Sequence, residues 1–135
     1  MKTSSKARYA LYLVVDVAIH GQNGPVPLRE VAERQSISMK FLEQIASKLG
    51  KADYLQSVRG AQGGYLLARP PEAISAGDIM RAAEGDFISV SCLEEGAEDC
   101  PRQGSCCKTA EFWAGLRGTI DEYLDSVSIA TLAGL

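Results

Sequence analysis

Residues 54–69 read YLQSVRGAQGGYLLAR, two apolar and partly aromatic runs around a glycine-rich hexapeptide. Runs of this kind about a turn signal predict a short antiparallel hairpin, YLQSV at 54–58 pairing with YLLAR at 65–69. Gly60, Gly63 and Gly64 give its tip the backbone freedom to pass close to another surface, with Arg59 and Gln62 riding on it. Pro70 and Pro71 end the return strand. The residues before the hairpin say what it serves. Pro27 suits the first turn of a short helix running to about Arg34, with Leu28, Val31 and Ala32 inward. Residues 35–37 form a tight connection, and Ser38 caps the next helix by accepting from the orphan amides of its first turn. There Leu42, Ile45, Ala46 and Leu49 share one stripe, with Met39, Lys40, Glu43, Gln44, Ser47 and Lys48 mostly outside it. Two short helices, a tight turn and a polar outer face make a helix-turn-helix, and a hairpin directly behind it is a wing.

Helical spacing also places Ala7, Ala10, Leu11, Val14 and Ala18 on one face of a helix over 5–20, closed by Gly21. After the wing, Ser75 caps a helix with Asp78 in its acidic first-turn position, and Ile79, Met80, Ala82 and Ala83 carry it to Gly85. FISV at 87–90 reads as extended. From Glu111 to Ser126 the pattern is a long helix. Its stripe, Phe112, Leu116, Ile120, Tyr123, Leu124 and Val127, is wider than a small domain needs. Packing on an identical helix in a two-fold homodimer uses that stripe, and packing on its own domain is the plainer alternative. The predicted fold is mainly α with a small β-hairpin wing. A winged helix-turn-helix domain spans 1–85, a cysteine-rich loop 86–108, and a long dimerisation helix with the C-terminal segment 109–135.

The 135 residues are enough for such a domain plus an oligomerisation element. The apolar opening, MKTSSKARYALYLVVDVAIHG, is interrupted by Arg8, Tyr12 and Asp16, and no stretch reaches transmembrane length. A cytoplasmic location with no membrane partner is the expectation. The net charge of −3 conceals an asymmetry. Residues 1–70 carry ten Lys or Arg against five Asp or Glu, while residues 71–135 carry four against twelve. A basic front and an acidic back fit a protein whose N-terminal face meets nucleic acid.

Every cysteine lies in CLEEGAEDCPRQGSCC, residues 92–107. A reducing cytoplasm weighs against a disulfide staple, and the lack of paired C-x-x-C hooks weighs against a zinc knuckle. Catalytic thiol chemistry wants a base, but the one histidine, His20, lies far off in sequence, so no enzyme is predicted. Three or four thiolates delivered by one loop fit an iron–sulfur cluster, whose ligands are soft. An oxidisable Cys106–Cys107 pair is the alternative.

The stretch LREVAERQSISMKFLEQIASKLGKADYLQSVRGAQGGYLLAR resembles the DNA-binding domain of the Rrf-type winged-helix regulators of bacteria. The resemblance extends through the opening SSKARYALYLVVDVA, the SAGDIMRAAEG helix, the cysteine cluster and the closing SIATLAGL. SVRG-x-x-GGYLL is its most specific part. It implies a homodimer on double-stranded DNA, reading a palindromic operator with recognition helices in successive major grooves and wings in flanking minor grooves. The recognition helix is most similar to that of the cluster-sensing members, which puts Ser38, Lys40, Glu43 and Gln44 toward DNA. Lys40 and Ser38 can bond phosphates, Gln44 can pair with adenine, and Glu43 can accept from cytosine N4. Arg59 suits a narrow minor groove, and Gly60 and Tyr65 complete the implied contact set. Ala61 and Gln62 stand where the family has glycine or proline. In the loop, the resemblance maps Cys92, Cys100 and Cys106 onto three cluster ligands. Thr109 stands where one member has a histidine ligand, and Arg8 where another has an acidic one. Cys107 is therefore the candidate fourth ligand. A [2Fe–2S] cluster is implied, with [4Fe–4S] as the alternative, in a transcriptional regulator that senses cluster or redox status. A cluster-free thiol-redox or small-ligand regulator, or an adaptor that does not bind DNA, are the competing readings.

Overall fold

Ser4 starts the first helix, α1 (Ser5–His20), by accepting from the Ala7 amide at 3.3 Å, and Gly21 closes it. A computed structural model describes residues 4–85 and 108–135. After a 3₁₀ turn at Gly21–Asn23 come α2 (Leu28–Gln35) and α3 (Met39–Lys51). Pro27 sits one position outside α2, as its N-cap, and its carbonyl accepts from Glu30 and Val31. Ser36 ends α2 in the left-handed region at φ 54°, which makes the corner between the two helices. Ser38 then caps α3 by accepting from the Phe41 amide at 3.2 Å.

The hairpin follows as β1 (Leu55–Val58) and β2 (Gly64–Leu67), antiparallel, with Leu55 opposite Leu67 and Val58 opposite Gly64. The strands differ from the predicted runs because Tyr54, Ala68 and Arg69 lie past the last ladder pair while Gly64 joins the ladder. The Ala68 amide still reaches the Tyr54 carbonyl, at 3.0 Å. Residue 26 supplies an unanticipated third edge. The Val26 amide donates to the Tyr65 carbonyl at 2.9 Å and the Tyr65 amide to the Val26 carbonyl at 2.8 Å. The wing is thus stitched to the linker between α1 and α2.

A 3₁₀ turn at Pro71–Ala73 leads into α4 (Ala76–Glu84), which opens with a full capping box between Ser75 and Asp78. The remaining described elements are α5 (Ala110–Ser126) and α6 (Ile129–Ala133). The short α6 has no counterpart in the sequence reading. Five residues are too few to show a helical period, although Ser128 caps it by accepting from Thr131. It closes the core from behind. Ile129 is fully buried among α1 side chains, and its amide donates to the Ile74 carbonyl at 2.8 Å.

The core gathers Leu13, Val14 and Val17 of α1 with Val31, Leu42, Ile45, Leu49, Leu55, Ile74, Ile79 and Ile129. Leu13 and Val17 are more deeply buried than Leu11, so the inward stripe of α1 is wider than its alanine spacing implied. Among the described residues, no helix is long and apolar enough to cross a membrane. The mainly helical winged architecture agrees with the fold class read from sequence.

Candidate nucleic-acid interface

The two faces of α3 are cleanly divided. Leu42, Ile45, Ala46 and Leu49 are buried, while Ser38, Lys40, Glu43, Gln44, Ser47, Lys48 and Lys51 are exposed. Lys40, Glu43, Gln44, Ser47, Lys48 and Lys51 line one shallow groove along the outer surface. Not all of these cations are equivalent. The Lys48 ammonium donates to the Ala83 carbonyl at 3.3 Å, in the last turn of α4, where it offsets the negative end of that helix. Lys48 therefore ties α3 to α4, whereas Lys40 and Lys51 flank the acceptor–donor pair Glu43 and Gln44. Ser38 spends one lone pair on its cap and keeps its O–H for another acceptor.

Arg59, Gly60, Ala61 and Gln62 form the exposed tip of the wing, closed by the Gly63 amide donating to the Gly60 carbonyl at 3.0 Å. The glycines divide their work differently from the expectation that all three serve approach to another surface. Gly60 has φ 120° and open space where a Cβ would stand, so it serves the turn. A Cβ at Gly63 would lie 2.2 Å from the Val58 carbonyl oxygen, and one at Gly64 would lie 2.4 Å from the Val26 backbone. Those two glycines are consumed by the wing itself. Tyr65 stands opposite Ser57, one ladder pair from the turn, and there it is half-buried against the core and paired with Val26. At the open end of the hairpin, beyond the Leu55–Leu67 pair, Arg69 stacks over Tyr54 with its guanidinium carbon 4.7 Å from the ring centroid.

What orients α3 begins with a buried charge the sequence reading treated only as an interruption. Asp16 lies inside α1 with its side chain 1% exposed. Arg34 grips it with two hydrogen bonds, 2.7 and 3.0 Å, and Gln35 adds a third at 3.0 Å. Burial pushes the Asp16 carboxyl up, but the hydrogen bonds from Arg34 and Gln35 and the Arg34 charge outweigh it and hold it below the ordinary carboxylate range. The tie docks the last turn of α2 on α1 and so fixes the corner from which α3 departs. An ionised residue on an apolar helix face needs a partner elsewhere in the chain, and that was the available signal.

The four candidate ligands, Cys92, Cys100, Cys106 and Cys107, lie outside the described residues, in the segment that joins α4 to α5. Among the described residues, no group of three or more His, Cys, Asp or Glu side chains is placed to hold a metal ion. The chemistry of the thiol set fits an iron–sulfur cluster, since it offers up to four soft anionic donors. Arg8, at the alternative ligand position, is exposed and donates to the Tyr12 hydroxyl at 3.5 Å.

A sequence model of the family described as "Rrf2: Iron-dependent Transcriptional regulator" matches residues 3–134. The HTH-type transcriptional regulator IscR of Aliivibrio salmonicida is 42% identical over 132 residues, spanning 98% of this chain and 77% of the relative. Among solved structures, CymR, the global cysteine regulator of B. subtilis, superposes with a TM-score of 0.80 at 37% identity, covering 99% of this chain and 97% of CymR. IscR of T. potens superposes at 0.79 with 38% identity, covering 98% and 85%.

Proposed function

This chain belongs to the Rrf2 family of transcriptional regulators, and on that premise we propose that it is a cytoplasmic, DNA-binding homodimer whose operator affinity follows the state of an iron–sulfur cluster. Its activity is regulation of transcription, not catalysis. The observation that carries the proposal is the division of α3, whose whole apolar stripe is spent on the core while a polar, cation-flanked face stays outside. Ser38 and Lys40 hold phosphates, Gln44 and Glu43 read base edges, and Arg59 with Gly60 enters the adjacent minor groove of a palindromic site. Tyr65 completes the proposed contact set from the strand that Val26 anchors.

Cys92, Cys100 and Cys106 are the proposed cluster ligands, with Cys107 as the fourth. The bound group, read as [2Fe–2S], supplies a redox-active centre whose presence reports iron and oxidant status. These cysteines would hold it, and they belong in sequence to the segment between α4 and α5, which joins the DNA-reading domain to the long helix. A second reading is favoured by the likeness to a cysteine regulator: the same thiols respond directly to oxidation, with Cys106 and Cys107 as the reactive pair.

Anaerobic purification separates the two. Visible charge-transfer absorption, with iron and sulfide bound in stoichiometric amounts and lost in Cys92→Ala, supports cluster sensing. Colourless protein whose operator binding responds to diamide supports the thiol reading. Protein that fails to shift any operator under either condition defeats both.

A further inference from the structure

None of the described residues of α5 is buried, and α4 is the element it leans on most. The two run antiparallel, since the Ala76 amide at the start of α4 donates to the Val127 carbonyl just past the end of α5, at 2.8 Å. A polar cluster ties the two together. The Arg81 guanidinium donates through Nη1 to Asp125 at 2.8 Å and through Nη2 to Asp121 at 3.3 Å. Asp121 and Asp125 stand one helical turn apart on the same face of α5, so one planar fork spanning both restrains roll as well as tilt. Beneath the fork lies Gly77. A Cβ there would come within 2.6 Å of Asp125 Oδ1 and 3.0 Å of both Arg81 Nη atoms. The missing side chain is what lets the carboxylate reach across the α4 backbone.

Exposed ion pairs add little stability, so this cluster matters as a geometric stop. We propose that Arg81, clasped by Asp121 and Asp125 over Gly77, is the positioning residue that sets the half-site spacing this regulator accepts. The inference rests on the dimeric DNA-binding reading above. In a dimer joined through α5, the angle of α5 on α4 sets the separation of the two α3 helices. Half-sites lie roughly 34 Å apart, so a tilt of roughly 10° swings each α3 by about 3 Å, close to one base-pair rise.

The test measures affinity for palindromic operators whose centre is lengthened or shortened by one and two base pairs, using wild type, Arg81→Met and Gly77→Ala. Gly77→Ala keeps all three charged groups and displaces only the flexible ends of Arg81 and Asp125, so it separates positioning from charge. Both variants are expected to lose about five-fold of the preference for the correct spacing while keeping the base preference within each half-site. Spacing profiles identical to wild type in both variants overturn the proposal. Hydrogen exchange supplies the arm independent of DNA. Arg81→Met should speed exchange of the amides in residues 121–126, and unchanged exchange shows that the clasp restrains nothing. Wild-type protein that runs as a monomer or ignores DNA sinks the underlying reading, and the spacing role with it, while the exchange comparison still decides on the clasp.

Discussion

Helices α3 and α5 carry similar strings of apolar residues at helical spacing, but they meet opposite fates. In α3, four of those residues are buried and the helix becomes a wall of the core. In α5, Phe112 remains 62% and Tyr123 68% exposed, with Leu116, Ile120 and Leu124 only half-covered. Periodicity reports that a helix has an apolar face and is silent about what covers it. The α3 stripe is satisfied within the chain. Among the described residues nothing buries the α5 stripe, and a second copy of the chain is the partner proposed for it.

Four experiments press on this contrast. Leu42→Ala removes a fully buried α3 side chain and should cost about 2–5 kcal/mol, read as a lower urea midpoint. The same truncation at Phe112 should leave monomer stability within about 0.5 kcal/mol. It should instead raise the dimer dissociation constant about tenfold in sedimentation equilibrium. Comparable loss of folding stability in the two variants would break the contrast. Arg34→Ala strands the buried Asp16 carboxylate and should cost about 1.5–3 kcal/mol at neutral pH, because its hydrogen bonds are to a charged group. The sign in pH follows from the lowered Asp16 value. Its stabilisation is fully present above the unfolded carboxyl value near pH 4 and disappears as pH falls through the folded value. Urea titrations of wild type from about pH 7 to about pH 3 should therefore show an acid loss that Arg34→Ala reduces. Smallest in free energy is Arg59→Ala, which should leave stability unchanged and reduce the salt slope of operator binding by roughly one unit. An unaltered slope would remove the wing tip from the interface.

The legible parts of this molecule are local. Ser38, Ser75 and Gly21 announce helix ends through their own backbone chemistry, and the Leu42–Ile45–Ala46–Leu49 stripe follows from period alone. The glycine turn announces the hairpin. The parts that were not legible join residues distant in sequence. Asp16 with Arg34, Val26 with Tyr65, Arg81 with Asp121 and Asp125, and Ile129 against α1 each depend on a pairing that no window of sequence contains. The candidate interface divides the same way. Its exposed residues on α3 could be named from spacing, whereas the tie that orients α3 and the brace beneath the wing could not.

Placing Ile129 against α1 has a consequence for synthesis. The ribosome makes α1 first, but one wall of that helix's packing belongs to a residue translated after the entire cysteine-bearing segment. Chains emerge N-terminal parts first, so the packing around α1 is completed only once α6 is available. The thiols have emerged by then. They are therefore made before the last wall around α1 exists.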